Sequence, residues 1–99
     1  MGFGITVVPT LGYLSSYQAL KLANMYLDHA CNECDPAVAL VLCHEVEVSL
    51  VQAKKAARQD SHVSKGEIGT AFISLSQLLE DMNHHSEAED IRKKGEKYG

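Results

Sequence analysis

Residues 35–57 constrain this chain more than any other stretch. Ala39, Cys43, Val46, Leu50, Ala53 and Ala57 recur in alternating steps of four and three without a miss, the spacing that lines up one stripe of an α-helix. Asp35 followed by Pro36 supplies the start signal. An N-cap acid accepts a free amide, and proline at the first helical position loses no bond that the helix would have made. Val38, Leu40, Val41 and Leu42 make the first half apolar nearly all round, so that half is expected to be buried on more than one side. Such a helix needs neighbours, and the rest of the chain has to supply them.

Three further segments carry both a start signal and an apolar seam. Ser15 with Gln18 forms a capping box, and Ala19, Leu22, Ala23, Tyr26 and Ala30 follow it, with an end expected near Cys31 or Asn32. Residues 59–63 read as a polar loop. Ser64 with Glu67 is a second box, opening a seam of Ile68, Phe72, Leu75, Leu79 and Met82. Residues 83–85 make a short turn, and Ser86 with Glu89 is a third box before Ala88, Ile91, Gly95 and Tyr98. Arg92, Lys93, Lys94 and Lys97 suit the negative end of that last helix. Ninety-nine residues hold one small core. The expected fold is therefore all-α, one domain over residues 15–99 with four antiparallel helices joined by short connections. Residues 1–14 form a flexible or extended arm, where Phe3, Ile5, Val7 and Val8 are punctuated by Pro9 and Gly12.

The helices echo one another. Leu22, Ala23 and Tyr26 match Leu75, Ser76 and Leu79, while Ala39 matches Ala88 and Val46 matches Gly95. The two offsets differ, which implies about four extra residues at the first hairpin's turn. In the second hairpin, Phe72, Leu75, Ser76 and Leu79 give large, large, small and large positions, and Ala88 and Gly95 are small on the partner helix. Small residues let two backbones approach while large ones fill the groove beside them. This hairpin resembles the tetratricopeptide repeat, closely over residues 70–98 and more loosely over 16–98, with Asn83 where that family prefers glycine. The alternative architecture is a plain four-helix bundle, whose seams look alike.

The resemblance implies a non-catalytic protein–protein interaction domain, part of a larger protein or assembly, since stacked repeats usually need about three units to bury a continuous core. It also implies a binding face on the first helix of each hairpin. That face would present Tyr17, Leu20, Asn24, Leu27 and Asp28, together with Thr70, Ile73, Ser74, Gln77, Glu80 and Asp81. Family members that grip acidic tails use lysine and asparagine there. Asn24 fits one such position, but Leu20, Ile73 and Gln77 stand at the others. A mixed apolar groove with an acidic end favours an apolar or basic peptide segment. The second reading is a self-associating structural or signalling bundle, a homodimer.

Charge and motif content narrow the field further. The net charge is −4, and no basic footprint is available to displace counterions from phosphate, so no nucleic-acid partner is expected. No apolar run approaches the ~18 residues of a membrane span, so no membrane partner is expected. Met1-Gly2 with Thr6 fits the minimal myristoylation pattern, without the lysines that would add a second membrane signal. The three cysteines are expected to be free thiols in a reducing, cytoplasmic compartment. Cys31 and Cys34 form a CxxC pair with Cys43-His44 beyond it, and zinc wants four tetrahedral ligands. A zinc site and a Cys31–Cys34 disulfide are the alternatives to inert thiols. His44-Glu45 has no second histidine one turn on, and no serine has a His–Asp partner in view. No catalytic residue, metal or cofactor is expected. The seam assignment is testable: Leu75→Ala is expected to cost about 2–5 kcal/mol as a core truncation, and a thermal melt followed by circular dichroism that does not move would show the seam to be misplaced.

Overall fold

A computed structural model describes residues 15–98, and those residues form four helices with no strand among them: α1 (Ser16–Asn32), α2 (Pro36–Asp60), α3 (Lys65–Asp81) and α4 (His85–Tyr98). The expected N-terminal arm and the Gly2 pattern lie outside the described residues. α1 packs along α2 and α3 along α4, giving two antiparallel hairpins. α2 then meets α3, and α1 touches α3 more lightly. The result is a slab of 44 × 30 × 19 Å, two helix diameters thick, with α1 and α3 in one layer and α2 and α4 in the other.

The capping signals set most of the boundaries. Ser15 accepts from the Gln18 amide while Gln18 returns a bond to the Ser15 amide, and Asp35 accepts from the Ala37 amide. Ser64 accepts from the Glu67 amide. Val63, read as part of a polar loop, is buried beside Ile68 in the core. It precedes the cap and belongs to the same buried cluster as Ile68, the fourth helical residue, the placement of a hydrophobic staple. α2 runs one to two residues into the expected loop and stops at Ser61, which takes a left-handed backbone with φ 56°. The third expected cap is displaced. α4 begins at His85, not after Ser86. Asn83 at φ 67° turns the chain back on itself, with the His84 amide bonding to Leu79 O and the Asn83 amide to Glu80 O. That pair of bonds is a Schellman ending, and it starts α4 earlier than the serine does.

The two hairpins are closer in length than the sequence echoes imply. Ser16 and Lys65, Asn32 and Asp81, and Pro36 and His85 are each 49 residues apart. No extra residues sit in the first turn: 33–35 matches 82–84. The Leu22–Leu75 echo is therefore out of register, and the equivalent positions are Ala19 with Ile68, Ala23 with Phe72, Ala30 with Leu79, and Val46 with Gly95. All of these are buried. At these positions α1 is small where α3 is large, and α2 has Val46 where α4 has Gly95.

One expectation about α2 is overturned. Ala39, Cys43, Val46, Leu50 and Ala53 are buried as its seam predicts, and Leu40 and Leu42 are half-buried. Val38, Val41 and Val48, however, point to solvent. The helix has neighbours on its α1 side and its α3/α4 side, and nothing among the described residues lies over the remaining face. α2 is also long and apolar enough, over an 18-residue window of mean hydropathy 1.3, to cross a membrane by length and composition. A third of that window is buried inside the protein.

The tightest approach is between α3 and α4. A Cβ on Gly95 would lie 2.9 Å from Gly69 O, 2.9 Å from Phe72 Cβ and 3.0 Å from Ile73 Cδ1, closer than real Cβ atoms come to backbone. Gly95→Ala is therefore expected to cost about 1–3 kcal/mol as overpacking, whereas Gly66→Ala meets only Ser64 Oγ at 3.8 Å and is expected to be neutral or stabilising by up to about 1 kcal/mol. Paired thermal melts check the contrast, and equal effects at both glycines would show that the α3–α4 contact is not tight.

Candidate functional site

α1 is held in place at its first residue. The Ser16 amide donates to Asp60 Oδ2 at 2.7 Å, its hydroxyl donates to Oδ1 at 2.5 Å, and the His62 amide donates to the same Oδ1 at 3.0 Å. One carboxylate at the end of α2 thus satisfies a free amide at the start of α1 and stands at the positive end of that helix. Ser16 is fully buried under the contact. The His62 and Ser16 bonds hold the Asp60 carboxyl down at about 2.

With α1 fixed, an open cleft of about 550 Å³ lies between it and the first half of α3. Leu20 and Ala71 form its floor, and Asn24, Glu67, Thr70 and Ser74 line its walls. Leu20 is only 7% exposed, so it acts as a core residue whose edge reaches the cleft and not as a free apolar contact. Asn24 stands at the wall as expected.

The other expected residues divide. Tyr17 is 54% exposed and lines a separate shallow depression with Ser15, Gln18 and His62. Leu27 is half-buried against the core, while Asp28, Gln77 and Asp81 are exposed. Ile73 and Glu80 turn the other way: the Ile73 Cδ1 approaches Gly95 on α4, and the Glu80 carboxylate holds His85 Nδ1. The physical reason is the helical angle. Residues 67, 70, 71, 74 and 78 share the side of α3 that faces α1, and residues 69, 73, 76 and 80 share the side that faces α4. Ser64, Gly66, Glu67 and Ala71 line the cleft without having been expected there, and for Glu67 and Ala71 the spacing of three from Thr70 and Ser74 was the available signal.

A second, smaller pocket of about 210 Å³ lies between α2, α3 and α4. Cys43, Leu75, Leu79 and Ile91 floor it, and its polar rim is largely paired. His44 Nε2 sits 3.4 Å from Glu87 Oε2, His84 Nδ1 sits 3.3 Å from Glu87 Oε1, and Lys94 Nζ sits 2.8 Å from Glu47 Oε2. Burial pushes the Cys43 thiol up to about 11, with Cys31 and Glu87 adding to the effect, so it stays protonated near neutral pH and offers no thiolate. Cys31 and Cys34 are exposed free thiols. Among the described residues, no three His, Cys, Asp or Glu side chains are grouped to hold a metal ion. This pocket therefore acts as a polar seam that pins α2 to α4, joined by Lys54 Nζ at 4.9 Å over the Tyr98 ring. The chain matches no protein-family model, no curated protein and no solved structure.

The clasp that positions the cleft has a pH signature. The Asp60 carboxyl titrates at about 2 in the folded protein against an ordinary 3.8. Its stabilising effect is therefore complete above about 4 and is lost as pH falls through about 2. Asp60→Asn is expected to lower the melting temperature at neutral pH, with the gap to wild type closing between pH 4 and 2. A gap that stays constant over that range would show that the carboxylate does not fasten α1.

Proposed function

We propose that this chain is a non-catalytic protein–protein interaction domain that captures a peptide segment in the α1/α3 cleft, in the manner of the tetratricopeptide repeats that residues 70–98 resemble. The observation that carries the reading is the cleft itself: an apolar floor of Leu20 and Ala71 between walls that mix amide, hydroxyl and carboxylate groups. A floor of that kind takes an apolar side chain, and the walls offer hydrogen bonds that fix its orientation. Glu67 at one end, with Asp28 and Asp81 exposed further along, favours a segment with basic residues flanking the apolar anchor. The same acidic character, with a net charge of −4, works against a nucleic-acid partner. A cytoplasmic setting with reduced cysteines agrees with a domain that uses packing and ion pairs in place of disulfides.

The protein panned against a phage-displayed peptide library tests this. Enriched peptides are expected to carry an apolar residue beside lysine or arginine. Thr70→Arg, placed on the exposed wall, is expected to weaken their binding at least tenfold without moving the thermal melt. Lys93→Glu with Lys94→Glu, on the far helix, is expected to leave binding intact. Enrichment of nothing above background, or binding lost through the Lys93/Lys94 pair and retained in Thr70→Arg, overturns the proposal.

A further inference from the structure

The exposed large apolar residues are unevenly placed. Tyr17, Met25, Val38, Val41 and Val48 all lie on the first hairpin, and α4, the outer helix of the second, presents charge. Three of the five, all valines, are on the uncovered face of α2, where Val41 and Val48 are 60% and 64% exposed. Valines scattered singly would mean little. These are ordered: Val41, Val48 and Lys55 stand one heptad apart on a single stripe, all exposed, with Val38, Glu45 and Gln52 along its edge.

The charge along that stripe has a direction: Glu45 at its edge lies before Val48 and Lys55 lies beyond it, while Glu47 and Lys54 turn to Lys94 and Tyr98 on α4. We infer that a second copy of this chain covers the face, with the two α2 helices antiparallel about a two-fold axis at Val48. Val48 then meets its own equivalent, and Lys55 of the second copy, seven residues beyond the axis, lies over Val41, seven residues before it. Its aliphatic stem covers the valine while its ammonium comes within one helical turn of Glu45. The symmetry makes each of these contacts twice. A parallel arrangement would instead set Lys55 against Lys55 and Glu45 against Glu45. The surface is one helix wide, about 37 Å by 10 Å, which places the contact at the small end of specific interfaces, where association is weak and reversible. Nothing in this pairing uses the α1/α3 cleft, so it stands or falls apart from peptide capture.

Sedimentation equilibrium of the whole chain, from about 1 μM to about 1 mM, is the experiment. A reversible monomer–dimer equilibrium that weakens as salt is raised is expected. Val48→Glu puts two carboxylates face to face at the axis and is expected to leave a monomer throughout. Because Val48 is largely in solvent, its circular-dichroism melt serves as the folding control. Lys55→Glu is expected to raise the dissociation constant at least fivefold, and Glu45→Lys combined with Lys55→Glu to bring it back to within about twofold of wild type. A wild-type monomer at every concentration overturns the inference, as does a dimer that survives Val48→Glu. Failure of the double swap to rescue Lys55→Glu overturns the antiparallel pairing.

Discussion

The contact between Gly95 and the backbone of α3 sets the geometry on which the other elements rest. With no room for a Cβ between Gly95 and Gly69 O, the α4 backbone lies directly against that of α3. Phe72 lies against Gly95, and Leu75 and Leu79 line the space between α2 and α4, in one buried cluster with Val46 and Leu50. The first hairpin solves the same problem in mirror fashion, with Ala19, Ala23 and Ala30 on α1 letting that helix settle onto the larger side chains of α2. Val46 and Leu50 of α2 and Phe72, Leu75 and Leu79 of α3 belong to the same buried cluster as Ala19, Leu20 and Ala23 of α1 and Ala88 and Ile91 of α4. That distribution makes one continuous core out of two hairpins.

Polar contacts then fix the register that packing leaves free. The Asp60 carboxylate ties the start of α1 to the end of α2 across 44 residues of sequence. His44–Glu87, Glu47–Lys94 and Lys54–Tyr98 tie α2 to α4 at successive levels, which shows these two helices running in the same direction. Each surface pair contributes little by itself. Their joint effect is to choose one sliding position from the several that a seam of alanines, leucines and valines would tolerate.

The seams of all four helices could be read from the sequence because burial on one face imposes a spacing of three and four, and that spacing survives in every helix. Asp35-Pro36, Ser15 with Gln18 and Ser64 with Glu67 marked three starts correctly, since a cap is a local bond. The fourth start was misplaced because the deciding event is the left-handed Asn83, which acts on the end of α3 and carries α4 along with it. Val63 was hidden for a related reason: a single apolar residue in a polar stretch shows no period, and only the folded core it joins buries it. The candidate cleft was half legible. Asn24 and Leu20 follow from α1's own wheel, but Ile73 and Glu80 could be assigned to the α4 side only once the direction of α4 was known. The solvent-facing valines of α2 were misread because an apolar composition does not say how many neighbours a helix has.

The two surfaces of this slab lie in different layers, and that separation has a consequence for how they would work together. The cleft belongs to α1 and α3, and the valine stripe belongs to the outer side of α2. Pairing through α2 leaves both clefts open and turns them to opposite sides of the assembly. A dimer so built cannot close both clefts on one short peptide. It can hold two separate segments, or two sites on a long chain whose linker spans the thickness of two slabs, each about 19 Å. Binding one segment then raises the local concentration of the second without any new contact, and a weak pairing through α2 is strengthened by whatever bridges the two clefts, since linkage acts equally in both directions.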